Sequence, residues 1–332
     1  MPVEYLNPSD AARQLGVSAK ALRLYEQRGL VTPVRTAAGW RAYGPAEMAR
    51  ATEVAALRRL GLSLAQAARV LNGDALGLEP ALAAHQQALE AQMRGLAGQA
   101  ARVRELRADL AQGRAPSAAT LAALASSGPV ASFDLPWPWG GERFDLPPLA
   151  PLTFLVGPLG SGKTRLALAL VQALPGARFL GLDRQAPEAL GAEAEAALTW
   201  LEEEGASRTP ALAALVAGLE ADGDGAVVVD LVEQGLDGQT QEALAAWLRR
   251  RRFGARPLVL MTRSTAILDL EAPGADEAIL FCPANHAPPR WVAPYPGAEG
   301  YEALASCLAS PEVRARTDGV VAVRPHVAPV TS

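Results

Sequence analysis

The stretch Gly157-Pro158-Leu159-Gly160-Ser161-Gly162-Lys163-Thr164 constrains this 332-residue chain more than any other eight positions in it. An apolar run, Leu152–Val156, leads into it, and a helical pattern, Arg165–Ala173, leads out. Three glycines free the backbone to turn sharply and aim N–H groups at one point. Strand, glycine turn and helix in that order form the opening unit of an α/β sheet. The spacing G-x-x-x-x-G-K-[ST] is that of a phosphate-cradling P-loop. In such a loop Lys163 reaches the β- and γ-phosphates and Thr164 ligates Mg²⁺, so ATP or ADP with Mg²⁺ is the expected ligand.

The rest of the C-terminal half agrees with that reading. Apolar runs Leu152–Val156, Ala177–Leu182, Ala226–Asp230, Leu258–Thr262 and Ala278–Phe281 alternate with helical stretches. Alternation of this kind predicts a mainly parallel sheet with crossover helices. Asp230 ends a run of valines, the position from which a carboxylate holds the Mg²⁺ water shell. Trp139 and Phe144, upstream of the loop, read first as hydrophobes of a sheet edge.

The N-terminal part is built differently. Leu6, Ala11, Ala12 and Leu15 fall at helical spacing, with Ser9 as the expected cap. Gly16 breaks that helix, Ser18 caps a second over 19–28, and Gly29 ends it. Leu30–Tyr43 reads as a two-stranded wing turning at Ala37–Gly39, and two helices follow near 45–60 and 63–72. Helix, glycine turn, helix is the helix-turn-helix pattern, whose second helix fits the major groove of duplex DNA. Ser18, Lys20 and Arg23 on that helix are candidate base or phosphate contacts. Tyr25, Arg35, Arg41 and Tyr43 are candidate phosphate contacts.

Charge divides the chain the same way. Ten basic side chains meet five acids across residues 1–72, a surplus of five, so the rest carries nine net negative charges against a whole-chain charge of −4. A cationic front on an acidic body suggests that only the front meets a polyanion. Leu82, Leu89, Leu96, Val103 and Leu110 then repeat every seven residues, with Met93 and Ala100 between them. Such a seam predicts a coiled-coil helix over 78–113 that pairs with a second copy. His85 on it reads as a polar seam residue rather than a ligand.

The segment Leu22-Arg23-Leu24-Tyr25-Glu26-x-x-Gly29-Leu30, with Pro33, Arg35, Gly39-Trp40-Arg41-x-Tyr43 and Leu60-Gly61-Leu62-Ser63-Leu64, resembles the MerR family over residues 5–72. That resemblance implies a symmetric dimer on a pseudo-palindromic promoter, with effector-driven twisting of the DNA that aligns RNA polymerase contacts. It leaves Glu26 a structural part, paired with a nearby arginine. Sensing of soft metals through cysteines beside the dimer helix is not expected, because the two cysteines, Cys282 and Cys307, lie far downstream.

The P-loop, Asp230 and the segment Leu258–Ser264 together resemble the ABC-type ATPases, especially the RecF-like branch, over about residues 131–283. An aromatic stacked on adenine, at Trp139 or Phe144, is what this resemblance implies instead of a sheet-edge hydrophobe. The departures bear on chemistry. Leu231 stands at the family's catalytic Glu, and leucine cannot act as a general base. Arg263 stands at its switch His, where it could contact the γ-phosphate by charge. No Leu-Ser-Gly-Gly-Gln signature is present, and Gly205-Ala206-Ser207 lies at its place. Glu233 is the one nearby carboxylate that could substitute as a base.

The expected organisation is therefore a winged helix-turn-helix over 1–74, a dimerisation helix over 75–113 and a linker over 114–130. A P-loop α/β domain over 131–285 and an extension over 286–332 complete it. The function expected is that of a cytoplasmic regulator of transcription, binding promoter DNA and modulated by ATP or ADP with weak or absent hydrolysis. The alternative is a DNA-associated ATPase or P-loop kinase tethered by its head. No apolar run reaches the length of a membrane span.

Overall fold

The computed structural model describes residues 5–74, 78–111, 130–250, 256–274 and 276–316. Nearly all of the expected linker over 114–130, and the end of the C-terminal extension, lie outside the described residues.

The N-terminal head begins with α1 (Pro8–Leu15) and α2 (Ala19–Gln27). Asn7, not Ser9, caps α1: its side chain accepts from the Asp10 N–H, and Pro8 takes the first helical turn, where a missing N–H costs nothing. Gly16, at φ 66°, ends the helix in the left-handed region. Ser18 caps α2 through the Ala21 N–H at 3.0 Å. A two-stranded ribbon, β1 (Val34–Arg35) and β2 (Arg41–Ala42), forms the wing. Helices α3 (Pro45–Arg59) and α4 (Leu64–Leu71) follow, with Ser63 and Gln66 forming a capping box on α4. Ala11, Leu15, Leu22, Tyr25, Val31, Tyr43 and Val54 make the core of this head.

Helix α5 (Leu78–Ala111) runs for 34 residues. Leu82, Leu89, Met93, Val103 and Leu110 are exposed along it.

The C-terminal region opens with an antiparallel hairpin, β3 (Ala131–Asp134) and β4 (Arg143–Leu146). The main sheet holds β5 (Leu152–Val156), β6 (Arg178–Leu180), β7 (Val227–Val229), β8 (Leu258–Met261), β9 (Glu277–Phe281) and β10 (Arg290–Trp291), in the order β10-β9-β5-β8-β7-β6. Only the β10–β9 pair is antiparallel. The five apolar runs read from sequence thus become β5 to β9. All-buried strands such as Leu152–Val156 and Val227–Val229 suit a sheet covered on both faces.

One face is covered by α7 (Ala192–Glu204), α8 (Pro210–Glu220) and α9 (Gly238–Arg250) around Phe154, Leu201, Leu215, Leu244 and Leu260. The other is covered by α6 (Lys163–Ala173) and the hairpin, around Leu146, Leu155, Leu166 and Met261. Two short helices, α10 (Tyr301–Ala305) and α11 (Pro311–Ala315), bring the chain back to the segments that follow β8 and β7, where Ala309 bridges Ser264 and Arg314 meets Glu233.

Candidate functional site

The glycine-rich loop leaves the C-terminal end of β5, in the middle of the sheet, and enters α6. Strand ends at such a position are where open α/β sheets bind ligands. Gly157 allows no side chain, since a Cβ there would press on the Cys282 carbonyl and on Ser161 Oγ. Gly162 is left-handed at φ 91°, and a Cβ on it would lie 2.7 Å from the Trp139 ring. Gly160 is also left-handed, at φ 81°, but faces open space.

Lys163 folds back over the loop. Its Nζ donates to the Gly157 and Pro158 carbonyls, each at 2.7 Å. Burial pushes its pKa down from the ordinary lysine value. Ser161 Oγ is buried without a hydrogen-bond partner among the described residues. Thr164 lies exposed at the start of α6. Leu159, at the tip, is almost wholly exposed.

Asp230 follows β7 and shares this electrostatic neighbourhood with Lys163 and Arg263. Burial raises the Asp230 pKa above the usual carboxylate value, against the lowering pull of Arg184, Lys163 and Arg263. Lys163, Asp230 and Arg263 thus lie within electrostatic reach of one another.

It also adds Arg184, which no motif marks. Arg184 donates to the carbonyls of Asp230 and Leu231, at 3.2 and 3.0 Å, and to Gln234 Oε1 at 3.2 Å. The guanidinium therefore staples the turn after β7. Leu231 in that turn sits at φ 40°, a left-handed conformation a leucine seldom adopts.

Glu233 is placed otherwise than its reading as a substitute base requires. It is buried, accepts the Arg263 N–H at 2.9 Å and forms an ion pair with Arg314 of α11. Its Oε1 is already taken by a backbone amide and a guanidinium. Trp139 is 4% exposed, its Nε1 donating to the Ala287 carbonyl at 3.0 Å, and Phe144 tilts against Phe133 in the hairpin. Both are core hydrophobes. Trp137, by contrast, is 75% exposed, with the Arg165 guanidinium 5.9 Å from its ring.

In the head, Arg23 and Arg35 are exposed, and Ser18 serves as the α2 cap. Lys20 is ion-paired with Glu242 of α9 at 3.0 Å. Tyr25 and Tyr43 depart from the expectation of phosphate contact, since both are buried in the head core. The Tyr43 hydroxyl donates to Glu26, whose other oxygen receives Arg41 at 2.9 Å. Burial, with that hydrogen bond, raises the Tyr43 pKa far above the ordinary tyrosine value. Glu26 thus has the structural role expected of it, joining α2 to the wing.

The family profile and the curated relatives match this head. Residues 6–74 match the MerR HTH family regulatory protein profile. A probable heavy metal-dependent transcriptional regulator of Haemophilus influenzae is 40% identical over 67 residues, covering 20% of this chain and 52% of that one. The HTH-type transcriptional regulator CueR of Salmonella typhi is 35% identical over 68 residues, covering 20% and 49%. The chain therefore spans about half the length of these curated relatives. A solved structure of HiNmlR, a MerR family regulator lacking the sensor domain and bound to promoter DNA, aligns over 33% of this chain and 92% of its own at 21% identity, with a TM-score of 0.25, too low to bear on function. Sequence match and helix order together make residues 6–74 a helix-turn-helix head similar to those of the MerR-type regulators.

Proposed function

We propose that the protein is a DNA-binding regulator of transcription whose C-terminal region binds ATP or ADP with Mg²⁺ and couples that binding to promoter activity. The match of the cationic head to a family of regulators carries the first half. Arg23 on α2 and Arg35 on the wing are its exposed contacts to duplex promoter DNA, and RNA polymerase is the indirect partner. The apolar stripe Leu82, Leu89, Val103 and Leu110 on α5 is proposed to pair two copies, since such a row does not persist in water without cover.

The glycine-rich loop supports the second half. Gly157, Gly160 and Gly162 leave the backbone room to approach a phosphate chain, and the buried, unpartnered Ser161 Oγ lies within the same loop. Lys163 would leave the two loop carbonyls for the β- and γ-phosphates. Thr164 and Asp230 would hold Mg²⁺, which supplies charge neutralisation to the phosphates, and Arg263 would face the terminal phosphate by charge. Turnover by a carboxylate base is disfavoured by Leu231 after Asp230 and by the Glu233–Arg314 pair. The heavy-metal dependence in the name of the Haemophilus influenzae relative has no counterpart in this proposal, because Cys282 and Cys307 both lie outside the matched segment.

The test is selection of a duplex from a random library, followed by in vitro transcription from the selected site, with and without ATP, for the wild type and Lys163→Ala. Nucleotide-dependent output in the wild type alone is the expected result. Identical behaviour of both proteins under every condition would sink nucleotide control.

A further inference from the structure

The head rests against the C-terminal region through its own cations. Glu203 and Glu204 end α7, and Glu204 is the more deeply placed, its side chain 1% exposed. Arg58 of α3 grips it with two nitrogens, Nη2 to Oε1 at 2.7 Å and Nη1 to Oε2 at 2.8 Å. The Leu64 N–H at the start of α4 donates to the same Oε2 at 2.9 Å. Glu203 receives Ser63 Oγ at 3.0 Å and Arg69 at 3.1 Å. Arg28 donates to the Glu204 carbonyl at 2.8 Å, and Trp200 Nε1 to the Gly61 carbonyl at 3.3 Å. On the neighbouring helix, Glu242 holds Lys20 at 3.0 Å.

Two features show what kind of contact this is. First, four head cations, Lys20, Arg28, Arg58 and Arg69, are engaged by oxygens of the acidic body. Second, beside the buried Glu204 pair a cleft of about 630 Å³ opens between the two parts, lined by Lys20, Leu24 and Arg58 of the head, Leu89 of α5, and Glu242 and Arg249 of α9. A contact carried by ion pairs and bordered by an open cleft has the character of a polar inter-domain interface, for which relative motion of the two parts is the rule.

We infer that this contact is an electrostatic latch, in which Glu203, Glu204 and Glu242 occupy head cations that duplex DNA must reclaim, so that the docked arrangement is the DNA-free state. The geometry requires competition at Lys20. It lies in the first turn of α2, the turn that meets base edges when such a helix enters the major groove. A protein helix ion-paired to that turn stands where the groove wall must come. Phosphate oxygens and carboxylate oxygens also seek the same donors, and the duplex offers them in far greater number. The inference rests on the proposal that the head binds DNA.

The experiment uses the full chain. Duplex affinity is measured across a salt series for the wild type, for Glu203→Gln with Glu204→Gln, and separately for the exposed-side change Glu242→Gln, which leaves the buried Glu204 pair intact. Both variants are expected to bind duplex at least about tenfold more tightly at low salt, with a steeper loss on adding salt, since salt no longer helps by loosening the latch. In parallel, a carbodiimide joins amine to carboxylate only at contact distance. It is expected to crosslink Lys20 to Glu242 in the free protein and to fail once duplex is saturating. Unchanged affinity in both variants, or a crosslink that persists on saturating DNA, overturns the latch while leaving DNA binding intact. Absence of duplex binding by all three proteins overturns the DNA-reading proposal itself, and the latch with it.

Discussion

Glu233 and Arg314 are ion partners 81 positions apart, joining the turn after β7 to α11 near the end of the described chain. The Glu233 side chain is 2% exposed. Removing one side of a buried pair costs far more than the pair itself contributes. Arg314→Ala is expected to destabilise the C-terminal region by about 3 kcal/mol. The check is the midpoint of urea unfolding. A shift near zero would show that solvent reaches Glu233 and that the pair is ornamental.

The glycine-rich loop offers a paired comparison. At Gly160 an alanine faces open space and pays only for its left-handed backbone, roughly 1 kcal/mol. At Gly162 the same change also drives a methyl into the Trp139 ring. Gly160→Ala should therefore fold near normally. Gly162→Ala should show displaced tryptophan fluorescence and a much larger loss of stability. Equal unfolding midpoints for the two would contradict the packing of Trp139 on the loop.

Burial pushes the Cys282 thiol up to about 12, while the Lys163 charge pulls weakly the other way. At pH 8 the folded protein should alkylate slowly at Cys282 and faster at the partly exposed Cys307, with both labelled after denaturation. The sign of the linked stability follows. A thiol whose folded pKa exceeds its ordinary value of 9.0 stays protonated in the fold after the unfolded chain has ionised. Its contribution is complete below about pH 9 and declines as pH rises towards about 12. Cys282→Ala should flatten that alkaline decline in a pH series of unfolding midpoints.

On α5, Val103 and Leu110 lie one heptad apart and exposed. Val103→Glu with Leu110→Glu places charges on the proposed seam, where two copies would bury them. Sedimentation should show dimers for the wild type and monomers for the double variant at micromolar concentration. A monomeric wild type would remove the paired-helix proposal.

Much of the architecture is legible in the sequence. Ser18 and Gly16 set the turn between α1 and α2 because capping and left-handed backbone are properties of a few adjacent residues. The runs that became β5 to β9 were visible because buried parallel strands need unbroken apolar stretches. Where several short-range options competed, sequence reading slipped: Asn7 rather than Ser9 took the α1 cap. Tyr43 looks like a phosphate contact in the sequence because nothing local reveals that the wing folds it onto Glu26.

The chain's order of residues sufficed for the strand–loop–helix unit at Gly157–Thr164, the helix-turn-helix head and the heptad helix, because each is governed by spacing over a few turns. Three-dimensional packing alone decided that Arg184 braces the turn beyond Asp230, that Arg314 claims Glu233, and that Glu204 lies in the grip of Arg58, 146 positions away. Pairings at that separation carry no periodic trace in the sequence. They exist only where the sheet order and the crossing helices set two distant segments side by side.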